Sequence, residues 1–258
     1  MSGYALKDLT MAHLLVRNEE WAAGIDRIHP EAFPRMATVP QRPKVLWIGC
    51  ADSRVPESVV TASVPGDIFV HRNIANQFSA DDRNAASVVQ YAVQHLRVSH
   101  VLIVGHSHCG GVEAALEAVR SGRPPSGPIG EWLHHLIHLA KHYPEITELT
   151  EVNVISAVNR VGNFIEKMEY LDPSVGEEAA RVTVVGMVYE LETGRLREAG
   201  RREVWPPRDE ADQNGPIAYK RGVHEHGKYE NVLHANVNGV DEDRAHRAYA
   251  NNNMATYV

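Results

Sequence analysis

The chain is short of sulfur, of aromatic residues and of long apolar stretches. Its 258 residues include two cysteines, Cys50 and Cys109, and aromatics make up 7%. Each cysteine sits among polar neighbours rather than in a loop-rich secreted scaffold, so a disulfide is not expected. No run of about 18 or more apolar residues occurs, which argues against a membrane-spanning helix. The first twenty residues lack the short apolar core of a signal peptide. They also lack the Arg-rich, acid-poor pattern of a transit peptide, and a cytoplasmic protein is the expectation. Positive charge is scarce as well. Twenty-six Lys and Arg against 33 Asp and Glu give a net charge of −7, the opposite of the clustered basic surface of a nucleic-acid binder. There are no internal repeats. The 43% of hydrophobic residues is enough for one large core.

Short apolar runs alternate with segments of helical period. Residues 44–49 read as a buried strand that stops at Cys50. Residues 67–71 form a second strand after the Pro65-Gly66 turn. Asp81 and Asp82 can cap a helix whose stripe runs through Ala85, Val88 or Val89, Ala92, Val93 and Leu96. Residues 100–105 form a third strand that stops at His106, followed by a helix over 111–120. A helix or helix pair is expected over 6–28, helices over 129–142 and 147–171, and strands over 182–191 and 195–198. Strands alternating with helices imply an α/β fold with a central, mainly parallel sheet flanked by helices. Three regions follow: an N-terminal helical arm over 1–40, an α/β catalytic domain over 41–204, and a polar extension over 205–258. His224, His226, His234 and His246 in the extension are read as surface residues.

Both cysteines end up at the carboxyl edge of the sheet, where open α/β folds bind ligands. Cys50 belongs to Cys50-Ala51-Asp52-Ser53-Arg54, and Cys109 to His106-Ser107-His108-Cys109-Gly110-Gly111. Two thiolates and one imidazole supply three ligands for Zn²⁺ and leave a fourth position open, the ligand count of a reactive zinc site. His106 is preferred to His108 because it lies nearer the strand end and is held more stiffly. Gly110 and Gly111 open a helix whose amino end favours a thiolate or an anion. Asp52 can close the metal's fourth position, or it can pair with Arg54 and leave the metal to water. A purely structural zinc site has no use for that dyad.

Cys50-x-Asp52-Ser53-Arg54 together with His106-x-x-Cys109 resembles the β-class carbonic anhydrases. The likeness runs from about Gln41 to Leu196. It includes Pro65-Gly66-Asp67, the run Phe69 to Asn76, Tyr91-Ala92-Val93, Gly186-x-x-Tyr189 and Thr193-Gly194. Val185-Gly186-Met187 departs from the family's frequent His-Gly-Trp. The resemblance implies one Zn²⁺ per chain on Cys50, His106 and Cys109. It implies a gating dyad of Asp52 and Arg54, with Asp52 as fourth ligand in a closed state. A CO₂ pocket would be lined by Gln41, Phe69, Ile74, Tyr91 and Gly110 and completed across a homodimer or larger homo-oligomer. The implied reaction is reversible hydration of CO₂ to bicarbonate and a proton by a hydroxide made at zinc. One subclass has a second, regulatory bicarbonate pocket, and Trp47, Arg72 and Tyr189 occupy its positions here. Two thiolates cancel the formal charge of Zn²⁺ where three imidazoles do not, so the rate is expected to rise through mildly alkaline pH. Two alternatives stay open: a hydrolase of carbonyl sulfide or carbon disulfide on the same scaffold, and a non-catalytic zinc protein.

Overall fold

The structure is a computed structural model that describes residues 9–168 and 181–204. The polar extension after Trp205 and the expected helix end at Leu171 lie outside the described residues. Two compact units divide at Gln41/Arg42.

In the first unit, α1 (Met11–Ile28) starts at Thr10, whose hydroxyl accepts from the His13 amide. The His13 ring answers by accepting from the Thr10 amide, a capping box with histidine in the usual Glu position. Pro30, Pro34, Pro40 and Pro43 crowd the stretch that follows, yet α2 (Ala32–Thr38) forms there. Pro34 falls in its first turn, where an amide hydrogen has no helical partner to lose. Trp21 meets Phe33 edge to face, with ring centroids 5.7 Å apart.

The second unit is a five-stranded sheet in the order β2-β1-β3-β4-β5. Its strands are β1 (Val45–Cys50), β2 (Ile68–Asn73), β3 (His100–His106), β4 (Val182–Glu190) and β5 (Arg195–Val204). The first four run parallel, and only β5 is antiparallel. The alternation of apolar residues is resolved by the two faces. Leu46, Ile48, Val101 and Ile103 join one core cluster, and Trp47 and Val104 another. The fifth strand is longer than expected. Its Arg and Glu residues hide a strand period, and it exists because β4 offers a partner along its whole length.

Helices connect the strands: α3 (Glu57–Val60), α4 (Arg83–Gln90), α5 (Gly110–Ser121), α6 (Pro128–Trp132), α7 (His134–Ala140) and α8 (Ile146–Glu166). Asp82 caps α4 by accepting from the Asn84 amide. The helix then widens into a π turn over Tyr91–His95, where a continuous α-helix was expected. The single helix expected over 129–142 is two, breaking at Leu133. Helix α8 sits close to the sheet, because a Cβ at Gly105 or Gly186 would stand 2.7 Å from Val154.

The turn after β2 is unusual. Ala75 and Asn76 in the 3₁₀ turn Ile74–Asn76 have φ of 61° and 47°. L residues in that region cost roughly 1–2 kcal/mol each, and both are almost fully buried.

Candidate metal centre

Cys50 ends β1, His106 ends β3, and Cys109 is the residue before α5. Because β1 and β3 are parallel neighbours, their carboxyl ends deliver Cys50 and His106 to the same edge. The three-residue step from His106 to Cys109 then brings the second sulfur back over that edge. One nitrogen and both sulfurs lie within 4.8 Å of one another, and the two sulfurs are 4.0 Å apart. Cys50, His106 and Cys109 are 6%, 0% and 1% exposed.

The imidazole is oriented by its own backbone. His106 Nδ1 lies 2.8 Å from the Ser107 carbonyl oxygen. A carbonyl only accepts, so the proton sits on Nδ1 and the lone pair on Nε2. Nε2 is buried and has no hydrogen-bond partner. A buried acceptor left bare is costly, unless a cation meets it.

The two thiols titrate as a pair. Hydrogen bonding to Cys109 draws Cys50 well below the ordinary thiol range against the opposing cost of burial, aided by the neighbouring His106 ring and the amides of Asp52 and Ala75. Cys109 is pushed up by its bond to Cys50 and by burial, while the amides of Gly111 and Val112 at the start of α5 favour its thiolate. For His106, burial disfavours the charge, but Cys50, the Ser107 carbonyl and Asp52 outweigh it and raise the pKa.

Asp52 faces Arg54 in a bidentate pair. Arg54 Nε donates to Oδ1 at 3.0 Å and Nη2 to Oδ2 at 2.7 Å, and the Arg54 amide adds a third bond at 2.9 Å. Oδ2 is also 3.7 Å from His106 Nε2. The Arg54 hydrogen bond holds the Asp52 carboxyl well below the usual carboxylate range. A depressed folded-state pKa adds stability above the unfolded value of about 3.9 and loses it as pH falls through the folded value. Metal-free Asp52→Asn should therefore melt below the parent at pH 7, and the gap should narrow as pH drops below about 4. Melting curves from pH 3 to 7 check this, and a gap independent of pH would contradict it.

His108 is not a third-ligand rival in space. Its ring is exposed and bonds Glu192 at 2.6 Å, and its carbonyl accepts from Arg54. Glu192 also accepts from Ser107. Neither Glu192 nor Ser107 was singled out from sequence, where nothing marks them.

The expected pocket residues are dispersed. Gln41 belongs to the first unit, at the division from Arg42, and is exposed. Gly110 is the first residue of α5 and exposed, and Ile74 packs toward Gly111 beside it. Phe69 and Tyr91 pair with centroids 5.8 Å apart. Phe69 is in register with Leu46, four residues before Cys50, which is about 13 Å along the strand. The chain does not bring them to its own ligand cluster. Ile74 and Tyr91 remain 41% and 46% exposed.

Of the expected regulatory trio, Trp47 is fully buried with its indole nitrogen unpartnered. Tyr189 packs against the same cluster and pairs in register with His106. Arg72 instead braces the dyad loop, donating to the carbonyls of Cys50 at 2.9 Å and Asp52 at 2.5 Å, with Glu57 3.6 Å away.

A mainly parallel sheet carrying two sulfurs and a bare imidazole nitrogen at its carboxyl edge defines an α/β protein with a soft-metal centre. The carbonic anhydrase family model matches residues 45–196. A carbonic anhydrase of Emericella nidulans is 34% identical over 193 residues, 70% of this chain and 79% of that protein. A solved β-carbonic anhydrase of Aspergillus fumigatus is 34% identical, covering 72% of this chain and 89% of its own, at a TM-score of 0.60. A structure described as one of two tetrameric β-carbonic anhydrases of Sordaria macrospora is 32% identical, covering 72% and 95%, at 0.62. The chain belongs to the β-class carbonic anhydrase family.

Proposed function

We propose that this chain is a zinc-dependent carbonic anhydrase, a lyase interconverting CO₂ and bicarbonate. The observation that carries it is the bare, buried Nε2 of His106 facing two sulfurs beside an ionised, Arg-held carboxylate.

The donor set fits the metal. Tetrahedral Zn²⁺ with bonds of about 2.3 Å to sulfur holds two sulfurs about 3.8 Å apart, against 4.0 Å here. Cys50, Cys109 and His106 would hold it, the amides of Asp52, Ala75, Gly111 and Val112 favouring the thiolate forms. When bound, zinc supplies the nucleophile by lowering the pKa of water from 15.7 to about 7. The chain does the rest. Asp52, kept ionised by Arg54, accepts a hydrogen bond from the nucleophile at Oδ2 and aims its lone pair. Arg54 fixes the carboxylate by two parallel bonds and is itself tied to the His108 carbonyl. Arg72 holds the Cys50 and Asp52 carbonyls, and with them the loop carrying both.

Phe69 and Tyr91 lie too far down the sheet for their own chain's centre, and exposed Ile74 stands beside it. An apolar CO₂ pocket completed by a second copy accounts for both, and a homodimer or larger assembly follows. Two unbridged thiols suit a reducing compartment, and the cytoplasm is the location in this reading. Regulation by bicarbonate at Trp47, Arg72 and Tyr189 is also part of it, supported by the unpartnered indole nitrogen. In that pocket an anion would compete for the guanidinium that now braces Cys50 and Asp52.

Stopped-flow CO₂ hydration on zinc-loaded protein, with and without added bicarbonate, tests the reading. The expected result is turnover that rises through mildly alkaline pH and falls when bicarbonate is added. Stoichiometric zinc with no hydration across alkaline pH would favour the non-catalytic alternative.

A further inference from the structure

We infer that the Ile74–Asn76 turn is the wedge that sets the three ligand-bearing segments against one another, and that buried Asn153 of α8 is its positioning residue. This rests on Cys50, His106 and Cys109 holding zinc.

The turn touches all three segments. Ala75 packs in the same buried cluster as Cys50 and Cys109. Ala75 and Ile74 crowd Gly111, where a Cβ would stand 2.8 Å from Ala75 Cβ and 3.1 Å from Ile74 Cγ2. Asn76 Oδ1 stands 3.4 Å from where a Cβ on Gly105 would lie, one residue before His106. A shift of the turn therefore moves against β1, β3 and α5 together.

Its backbone is strained at two consecutive non-glycine residues. Such a conformation persists only where the surroundings over-determine it. Here they do so through polar groups buried in the core. Asn153, 2% exposed, donates through Nδ2 to the Ala75 carbonyl at 3.0 Å. Its Oδ1 accepts from Gln77 Nε2 at 2.5 Å, and that same Nε2 donates to the Ala75 carbonyl at 2.9 Å. Asn73 closes the turn from outside, accepting from the Gln77 amide at 2.7 Å and donating to the Gln77 carbonyl at 2.8 Å. Trp132 donates to the Ile74 carbonyl at 2.8 Å. Two amide side chains converging on the Ala75 carbonyl fix the Ala75–Asn76 peptide plane, and Trp132 on the Ile74 carbonyl fixes the plane that carries the Ala75 amide, so Ala75 is held from both sides against the ligand segments. Groups that orient metal ligands in this way typically change metal affinity by 10–100-fold when removed.

The test is Asn153→Leu, near in volume but unable to hold Ala75, with Gln77→Met as a second variant should the first fold poorly. Zinc affinity is read by competition with a chromophoric chelator, and ligand geometry by the sulfur-to-metal charge-transfer band of the cobalt-substituted protein. Either variant should bind zinc about 10–100-fold more weakly and show a displaced or weakened band. Adding Ala75→Gly to Asn153→Leu should recover part of the affinity, because glycine adopts a positive φ without a clamp. Folded variants with the parent's affinity and spectrum would overturn the inference, as would a loss that Ala75→Gly leaves unrepaired. A parent that binds no zinc would overturn the proposed function as well. A zinc-binding parent matched by its variants would overturn only this inference.

Discussion

Asp52→Asn should keep its zinc and lose about 100-fold in turnover, the scale seen when one preorganised polar group aimed at the reacting atoms is removed. Asp52 is bound to Arg54 rather than sitting among the three ligand atoms. Removing its charge therefore leaves the two sulfurs and the nitrogen in place. What goes is an ionised acceptor with its lone pairs directed. An amide at this position must offer Arg54 its one oxygen, which leaves an N–H group where the nucleophile needs an acceptor. Stopped-flow hydration alongside zinc analysis separates the two effects. Full turnover with zinc bound would remove Asp52 from the mechanism.

Cys109→Ser should have the larger effect on the metal. Cys109 is 1% exposed, so water cannot readily take the place of its sulfur. A serine hydroxyl does not ionise near neutral pH, although zinc binding here needs the deprotonated ligand. The α5 amides of Gly111 and Val112, which favour a thiolate at this position, would have no anion to meet. The affinity for zinc should fall beyond the 10–100-fold typical of an outer-shell change, and dialysed protein should carry little metal. A variant that keeps one zinc per chain through dialysis would show that Cys109 is not a ligand.

How far these expectations could be read from sequence depends on the kind of signal each residue leaves. The ends of β1 and β3 were legible because apolar runs stop at Cys50 and His106, and parallel neighbours put their carboxyl ends together. Choosing His106 over His108 was legible for the same reason: strand ends are stiff, while His108 sits at a φ of 52° with its ring in solvent. The Asp52–Arg54 pair needs only a two-residue separation. The Ile74–Asn76 turn left no such mark. Positive φ usually announces itself through glycine, and here it falls on Ala75 and Asn76. Asn153 looked like one polar position in a helical period, and its role appears only where α8 meets the turn. The break between α6 and α7 was hidden for a similar reason. Its apolar positions keep a helical spacing, while Gly130 tucks against the Pro125 carbonyl in a way only tertiary contact decides. Strand β5 is charged along its length and is a strand because of its neighbour. Phe69 and Tyr91 were placed beside the metal from sequence, but register, not proximity in sequence, decides which residues meet, and Phe69 pairs with Leu46 rather than with Cys50.

X-ray absorption at the zinc edge of the purified parent tests the central claim most directly. Two sulfur neighbours at about 2.3 Å and two nitrogen or oxygen neighbours at about 2.0–2.1 Å are expected, with one sulfur lost in Cys109→Ser protein reconstituted with zinc. A first shell without sulfur, or a parent that takes up no zinc at all, would contradict it.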